Sequence, residues 1–157
     1  MGLVEAVQTL VREGVRFVVV GGVAATIHGA RRVTEDLDVC YDDAPDNVRL
    51  LARVLAEWQA YPRGWPAGLP FVMDERTLRT TPTMTFRTMH GDLDVLHRVE
   101  PIGGYAEVAR SARVLDVFGA AVPTLDLAPL VRVKRFVNRP KDRDALPELE
   151  ALLAERV

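Results

Sequence analysis

Apolar positions in the first part of the chain follow a helical period, then a strand period, then a helical period again. Apolar residues recur at helical spacing from Leu3 to Val11, and Gly14 follows where a helix would end. The segment 15–20 is rich in β-branched residues, as is typical of a buried strand, and a glycine pair stops it. Residues 23–28 then have the composition of a short helix. The pattern predicts a helix, a strand, a glycine turn and a second helix.

The middle of the chain continues this alternation. Residues 37–41 predict another strand, and apolar residues within 46–60 are spaced for an amphipathic helix. Prolines then interrupt the pattern. Further along, shorter β-rich stretches predict two hairpins, 83–88 with 93–99 around residues 90–92, and 113–118 with 121–124.

The end of the chain is predicted to be helical. Asp126 is a plausible cap for a helix that runs to Asn138, and leucines recur at helical spacing in a last helix. Strands interleaved with helices favour an α/β or α+β domain with a mixed sheet flanked by helices. We therefore expect one domain over residues 1–157, with a core of about 15–125 and C-terminal helices over about 126–157.

Composition narrows the function classes. The 157 residues are 48% hydrophobic and 27% charged with a net charge of −2, which argues against a wholly basic nucleic-acid binder. No apolar run approaches the roughly 20 residues that cross a bilayer, so no membrane association is expected. Glu5 stands where a secretion signal would carry basic residues, so the cytoplasm is the expected location. The single cysteine, Cys40, excludes an intramolecular disulfide.

Two carboxylates stand two residues apart in the second predicted strand. In Asp36-Leu37-Asp38 the acids point to one face of the strand, about 7 Å apart at the backbone. Like charges held this close repel, and a cation between them explains why both are kept ionised. Oxygen ligands suit Mg²⁺ or Mn²⁺. Taken alone, the motif is weak, because it is more often a solvated strand end.

The surroundings of the acidic pair favour the metal interpretation. Gly21 and Gly22 lie between a strand and a helix, where backbone N–H groups can approach phosphate oxygens, although such a pair is often only a tight turn. Asp94 alternates with apolar residues on a later predicted strand and supplies a third carboxylate. Asp92 is interpreted as a hairpin residue, because it shares a face with Asp94 only if that strand begins early.

These residues together resemble a known family. The string is Gly21-Gly22-Val23-Ala24, His28-Gly29, Arg32, Thr34 and Asp36-Leu37-Asp38-Val39. It resembles the nucleotidyltransferase superfamily, which has the DNA polymerase beta-like fold, and within it the minimal and AbiEii-like branches. A weaker resemblance at the C-terminus involves Lys134, Arg139, Lys141-Asp142 and Asp144. The resemblance implies the nucleotidyltransferase fold.

The resemblance also implies roles for individual residues. Asp36 and Asp38 would hold Mg²⁺ on a triphosphate, and Asp94 would complete a metal site or accept a proton from the attacking hydroxyl. Gly21 and Gly22 would position the phosphates. The remaining expected nucleotide-binding residues are Arg32, Thr34 and Lys134. From the residues alone, Arg32 is equally a local charge partner of the aspartates, and Lys134 can equally extend into solvent.

The sequence therefore predicts a metal-dependent nucleotidyltransferase. Its expected substrates are an NTP, with ATP the first choice, and an acceptor hydroxyl on a small molecule, RNA or protein. The alternative is a catalytically inactive nucleotide-binding or toxin-antitoxin-type partner protein of the same fold. Expected partners beyond the substrates are a second copy in a homodimer or an antitoxin partner.

Overall fold

The computed structural model describes residues 2–31 and 34–156. The helices in these residues are α1 (Leu3–Arg12), α2 (Gly21–Ile27), α3 (Pro45–Glu57), α4 (Glu75–Thr80), α5 (Tyr105–Arg110), α6 (Leu127–Val137) and α7 (Pro140–Ala154). The strands are β1 (Phe17–Val20), β2 (Asp36–Tyr41), β3 (Tyr61–Pro62), β4 (Met84–Thr88), β5 (Gly91–Leu96), β6 (Arg98–Val99), β7 (Gly103–Gly104), β8 (Ala112–Val117) and β9 (Ala120–Leu125).

Seven of these strands form one mixed sheet. Their order is β3-β4-β5-β2-β1-β9-β8, while β6 and β7 pair separately. Strand β2 runs parallel to β5, and β1 runs parallel to β9. The other neighbouring strands of the large sheet are antiparallel. This seven-stranded mixed sheet, flanked by helices, confirms the predicted α/β class.

The centre of the sheet explains the hydrophobic run before the glycine pair. All four residues of β1 are buried, as expected for a central strand that is covered on both faces. Gly21 has a φ of +68°, in the left-handed region that glycine adopts without strain, and this lets β1 pass directly into α2. The helix predicted to begin at residue 23 therefore begins at Gly21. The glycine pair forms its first turn.

The hairpin of β4 and β5 is tighter than the sequence predicted. Its turn consists of Met89 and His90, and Thr88 pairs with Gly91 at the start of β5. Strand β5 therefore begins two residues earlier than predicted. As a result Asp92 lies within the strand and on the same face as Asp94, so its interpretation as a turn residue was wrong.

The first of the two C-terminal helices has the ends that its sequence predicts. The Asp126 side chain accepts a hydrogen bond of 2.9 Å from the Leu127 N–H, which confirms it as the cap of α6. Asn138 ends this helix in the left-handed conformation, with a φ of 54°. Helix α7 follows from Pro140, packs against α6, and so places both helices beside α2. The two helices line one side of the cavity that is described below.

The proline-containing segment between β3 and β4 has more structure than its pattern predicted. Asp74 caps α4 by accepting a hydrogen bond of 3.0 Å from the Thr77 N–H. Earlier in the segment, aromatic rings of Tyr61, Trp65 and Phe71 contact one another edge to face. These contacts hold the segment against the β3–β4 edge of the sheet.

The hydrophobic core lies on both sides of the central strands. Its largest fully buried side chains include Tyr41, Phe17 and Phe86, which come from β2, β1 and β4. Cys40 is also buried and carries no disulfide. Among the helices of the described residues, none combines the length and the apolar character that a bilayer-crossing segment requires.

Candidate active site

Four carboxylates lie on one face of two adjacent strands. Because β2 and β5 are parallel and in register, Asp36 is opposite Asp92 and Asp38 is opposite Asp94. All four side chains are half-buried, whereas the intervening leucines and valines of both strands are buried on the opposite face. Alternation on the two strands therefore brings Asp94 beside the Asp36 and Asp38 pair, as the sequence led us to expect.

Asp38 is the most strongly perturbed of these acids. Burial, a side-chain hydrogen bond with Asp94 and the negative charges of Asp94 and Asp36 raise the pKa of Asp38 to about 7. The positive charge of Lys134 acts in the opposite direction. A hydrogen bond between two carboxyl groups requires a proton on one of them. The two strands thus hold together groups that would otherwise repel.

The glycine pair lies directly against this acidic face. A β-carbon added to Gly21 would overlap the Asp38 carboxylate, and one added to Gly22 would lie 2.9 Å from Thr34 Oγ1. Both positions therefore require glycine for space, and Gly21 requires it for backbone conformation as well. The start of α2 is thus close enough to the carboxylates for one ligand to contact both.

Thr34 and Arg32 were also predicted to bind nucleotide. The Thr34 hydroxyl donates to the Asp36 backbone carbonyl at 3.2 Å and lies at the wall of the cavity described below. Its oxygen keeps lone pairs that can accept a further hydrogen bond. Arg32 lies outside the described residues. The assignment of both residues to nucleotide binding stays a prediction.

Lys134 lies across from the acids, on α6, and is already paired. Its Nζ donates to Asp142 Oδ1 at 3.1 Å, and the side chain is 13% exposed. Asp142 is 1% exposed and also accepts a hydrogen bond of 2.8 Å from Arg139 Nε. Burial alone would raise the pKa of Asp142. Hydrogen bonds from Arg139 and Lys134 outweigh this effect and lower the pKa to about 2. An ammonium has three donors, so Lys134 can bind a phosphate oxygen while it stays paired.

A cavity of about 680 Å³ connects these groups. This volume is within the range of small-molecule sites, roughly 300 to 1,000 Å³. Its polar wall includes Gly21, Gly22, Asp36, Asp38 and Lys134. Its apolar wall comes largely from the C-terminal helices and includes Leu130, Val133, Val137 and Leu149. The cavity therefore offers charged groups at one side and an apolar surface at the other.

A second concavity, beside α1 and the β8–β9 hairpin, has a different character. It measures about 810 Å³ and is lined largely by apolar residues, with Asp116 as its one carboxylate among the described residues. It touches neither Asp38 nor Lys134. The chemistry of the chain is therefore concentrated in the first cavity.

The acidic face fits a divalent cation by the chemistry of its donors. Asp36, Asp38 and Asp94 supply only carboxylate oxygens, which suit Mg²⁺ or Mn²⁺. Within residues 2–31 and 34–156, however, no three acidic, histidine or cysteine side chains already converge as a metal-binding group. Asp94 interacts with two other groups. One is Asp38, and the other is the guanidinium of Arg63.

Arg63 is the residue that sequence reasoning missed. Its Nη2 donates to Asp94 Oδ1 at 2.5 Å, and its Nη1 lies 3.3 Å from Asp92 Oδ2. It follows β3 in a proline-rich stretch, 31 residues before Asp94. No local pattern connects it to the acids, because only the pairing of β3, β4 and β5 brings it there.

Comparison with known proteins bears on the fold. No protein-family model matches the sequence, and no curated protein matches it either. Among solved structures, the chain is similar to the crystal structure of a protein from Thermotoga maritima described as a candidate nucleotidyltransferase. The TM-score is 0.57 at 13% identity, and the match covers 94% of this chain and 94% of that chain. The likeness leaves the predicted AbiEii-like branch a prediction. The chain therefore has the fold of that candidate nucleotidyltransferase.

Proposed function

We propose that this chain is a metal-dependent nucleotidyltransferase. It would move a nucleoside monophosphate from an NTP, with ATP the first choice, to a hydroxyl of a small molecule, RNA or protein. The observation that carries this proposal is the position of Asp38, which is opposite Asp94 on the adjacent strand and directly beside Gly21. Three features support the transfer of a nucleotidyl group. They are the acids on adjacent strands, the space that the glycines leave at the start of α2, and the cavity beside both.

Asp36, Asp38 and Asp94 would hold Mg²⁺ or Mn²⁺. When bound, the ions neutralise charge on the phosphates and on the attacking and leaving oxygens. Asp36 and Asp38 lie at the cavity wall, and the half-burial of Asp38 limits competition from water. The raised pKa of Asp38 is consistent with a site built for a cation, because burial and the negative charges of Asp94 and Asp36 outweigh the positive charge of Lys134.

The phosphates would be held from two sides. Gly21 and Gly22 line the cavity at the start of α2, where the absence of β-carbons would let their backbone N–H groups approach a phosphate. Lys134 would contribute a charge from α6, kept in place by Asp142. The apolar surface of α6 and α7 would then contact the base or the sugar of the nucleotide.

Asp94 would act at the acceptor. It adjoins Asp38 from the β5 side, away from the residues that line the cavity. In the reaction, the acceptor oxygen bonds to the α-phosphorus, the bond from that phosphorus to the bridging oxygen breaks, and pyrophosphate leaves. Asp94 would take the hydroxyl proton. The nucleotide would therefore bind in the cavity while the acceptor approaches along β4 and β5.

Labelling tests this proposal. The protein is incubated with each NTP carrying a label on the α-phosphate, with Mg²⁺ and with fractionated cell extract. Wild type should transfer label to one fraction, and Asp38→Asn should transfer none. Asp116→Asn, which removes an exposed acid outside the cavity, serves as the matched control and should behave as wild type. If no NTP labels any fraction under conditions in which ATP binds, the protein is not this enzyme.

A second candidate has one observation in its favour. Arg63 forms an ion pair with Asp94, the carboxylate assigned above to the acceptor proton, and an ion-paired carboxylate is a weaker base. A protein that binds nucleotide without turnover would serve as a nucleotide-binding or toxin-antitoxin-type partner. It would show MgATP binding by calorimetry that Asp38→Asn abolishes, and no labelled acceptor.

A further inference from the structure

Arg63 is built into the sheet by its backbone and reaches the acids by its side chain alone. Its N–H donates to the Thr85 carbonyl at 3.0 Å, which continues the pairing of β3 with β4. Because Thr85 pairs with Asp94 across β4 and β5, this hydrogen bond fixes the starting point of the Arg63 side chain. The guanidinium can therefore leave the acids by side-chain rotation, without any change in the sheet.

The contacts of this guanidinium are incomplete. Nη2 is bonded to Asp94, but Nη1 is buried and makes no hydrogen bond within the described residues, although Asp92 lies 3.3 Å away. A buried donor without a hydrogen bond destabilises the arrangement that contains it. The Arg63 side chain as a whole is still 26% exposed. Solvent can therefore reach it, and its exchange for another cation requires no local unfolding.

We propose that Arg63 is a positioning residue that occupies the place of a divalent cation beside Asp94 and Asp92, and that a metal ion must displace it before Asp94 can become a ligand. This inference rests on the proposed function. In the absence of the ion, Arg63 supplies the positive charge that allows Asp94 to stay beside Asp38 and Asp36. On loading, the guanidinium moves out as the ion moves in. Arg63 thus sets the metal concentration at which the acidic face becomes complete.

The balance of charge favours the exchange of the Arg63 guanidinium for a divalent ion over a permanent structural role of Arg63. A guanidinium adds one positive charge to a face of four carboxylates, and it reaches only two of them. A divalent ion adds two charges and bonds directly to oxygen. The better-compensated arrangement is therefore the metal-loaded one, and Arg63 delays it.

Metal binding without nucleotide tests the inference. Mn²⁺ is titrated into wild type, Arg63→Ala and Arg87→Ala, and binding is followed by calorimetry and by the Mn²⁺ electron paramagnetic resonance signal. Arg87 is the matched control, because it is an exposed arginine opposite Asp92 on β4 and no ion pair holds it among the described residues. Arg63→Ala should bind Mn²⁺ about tenfold more tightly than wild type, since it removes a cation that competes for the same carboxylate oxygens. Arg87→Ala should stay within about twofold of wild type.

Two further variants separate this role from a structural one. Arg63→Lys keeps the charge and should return the Mn²⁺ affinity towards that of wild type. Asp94→Asn introduced into Arg63→Ala should remove the gain in affinity. Circular dichroism checks that each variant folds, and Arg63→Gln replaces Arg63→Ala if the smaller side chain does not.

The outcomes distinguish the inference from the proposed function. If wild type binds Mn²⁺ through Asp38 and the charge-removing variant, Arg63→Ala or Arg63→Gln, binds it equally or more weakly, Arg63 does not compete with metal, while the proposed function stands. If neither wild type nor any Arg63 variant binds Mn²⁺, with or without ATP, both are overturned. Tighter binding in Arg63→Ala that survives Asp94→Asn also contradicts the inference.

Discussion

Two acidic clusters face the same cavity and have opposite electrostatics. On β2 and β5, Asp38 lies among other carboxylates, and burial together with these neighbours raises its pKa to about 7. On α6 and α7, Asp142 is more deeply buried, yet hydrogen bonds from Arg139 and Lys134 outweigh burial and lower its pKa to about 2. Both are aspartates within the same fold. The difference is in the charge of the neighbours.

This contrast separates a cluster whose negative charge is matched by cations within the protein from a cluster in which carboxylates neighbour one another. Asp142 has its cations inside the protein, so the cluster is complete and stabilises the junction of α6 with α7. The acids around Asp38 have too little positive charge within reach, and their closeness is imposed by strand register. Substitutions in the Asp142 cluster should therefore mainly change the stability of the protein, and substitutions around Asp38 should mainly change its function.

The largest expected effect comes from breaking the complete cluster. Asp142→Asn leaves Lys134 and Arg139 without their shared anion, and we expect the free energy of unfolding to fall by about 3 kcal/mol or more. The folded pKa of about 2 lies below the unfolded value of about 3.9. This stabilisation is thus present above pH 4 and is lost as the pH falls towards 2. Urea unfolding at pH 7 and at pH 3 measures both effects.

The control for this variant lies on the same helix. Asp144→Asn removes an exposed acid from α7 and should change the free energy of unfolding by less than about 0.5 kcal/mol. Equal losses in the two variants would show that the effect belongs to helix charge in general and not to the buried ion cluster.

The next effect concerns the incomplete cluster. Asp94→Asn keeps the shape of the side chain and removes its charge, so MgATP binding through Asp36 and Asp38 should largely survive while nucleotidyl transfer falls by about 10²-fold or more. Calorimetry gives the binding and α-labelled ATP gives the transfer. Loss of binding and transfer in the same proportion would assign Asp94 to the binding of nucleotide alone.

Lys134 belongs to both regions, because it pairs with Asp142 and faces the acids. Lys134→Ala should weaken ATP binding by about tenfold at low ionic strength, through loss of one charged hydrogen bond to phosphate. Arg135→Ala on the same helix removes an exposed charge and should leave ATP affinity near that of wild type. Equal affinities for ATP in Lys134→Ala and wild type would mean that Lys134 serves Asp142 only.

The smallest expected effect is on the free energy of unfolding, and it has the opposite sign to the effect of Asp142→Asn. Asp38→Asn relieves repulsion among carboxylates, so the metal-free protein should become more stable by about 1 kcal/mol, a value reduced by solvent screening. Thermal unfolding in the presence of a chelator at pH 8 measures it. A decrease in stability would show that Asp38 has a favourable partner and that the contrast between the two clusters is wrong.

Local sequence was sufficient for the features whose causes are local. Alternation on 36–38 predicted that Asp36 and Asp38 share a face, and the register bears this out. The β-branched run before Gly21 predicted β1, and Asp126 was correctly identified as a helix cap. Each of these depends on backbone preferences within a few residues, which the sequence displays directly.

Boundaries and partners were less accessible to sequence. Whether Asp92 belongs to a turn or a strand depends on a two-residue shift in the β4–β5 hairpin, which alternation alone does not determine. The burial of Asp142 likewise depends on how α7 packs against α6. An aspartate near a lysine and an arginine in sequence is as typical of an exposed helix start as of a buried ion cluster.

The sequence by itself determined the order of most of the strands and helices, the shared face of Asp36 and Asp38, and the presence of glycines between β1 and α2. Only the tertiary structure decided that Asp94 meets Asp38 and that Arg63 occupies the gap beside them. The physical reason is the range of the interactions. Hydrogen-bonding period and side-chain shape act over a few residues, whereas contacts between β2, β5 and the end of β3 exist only after the sheet has assembled and its register is fixed.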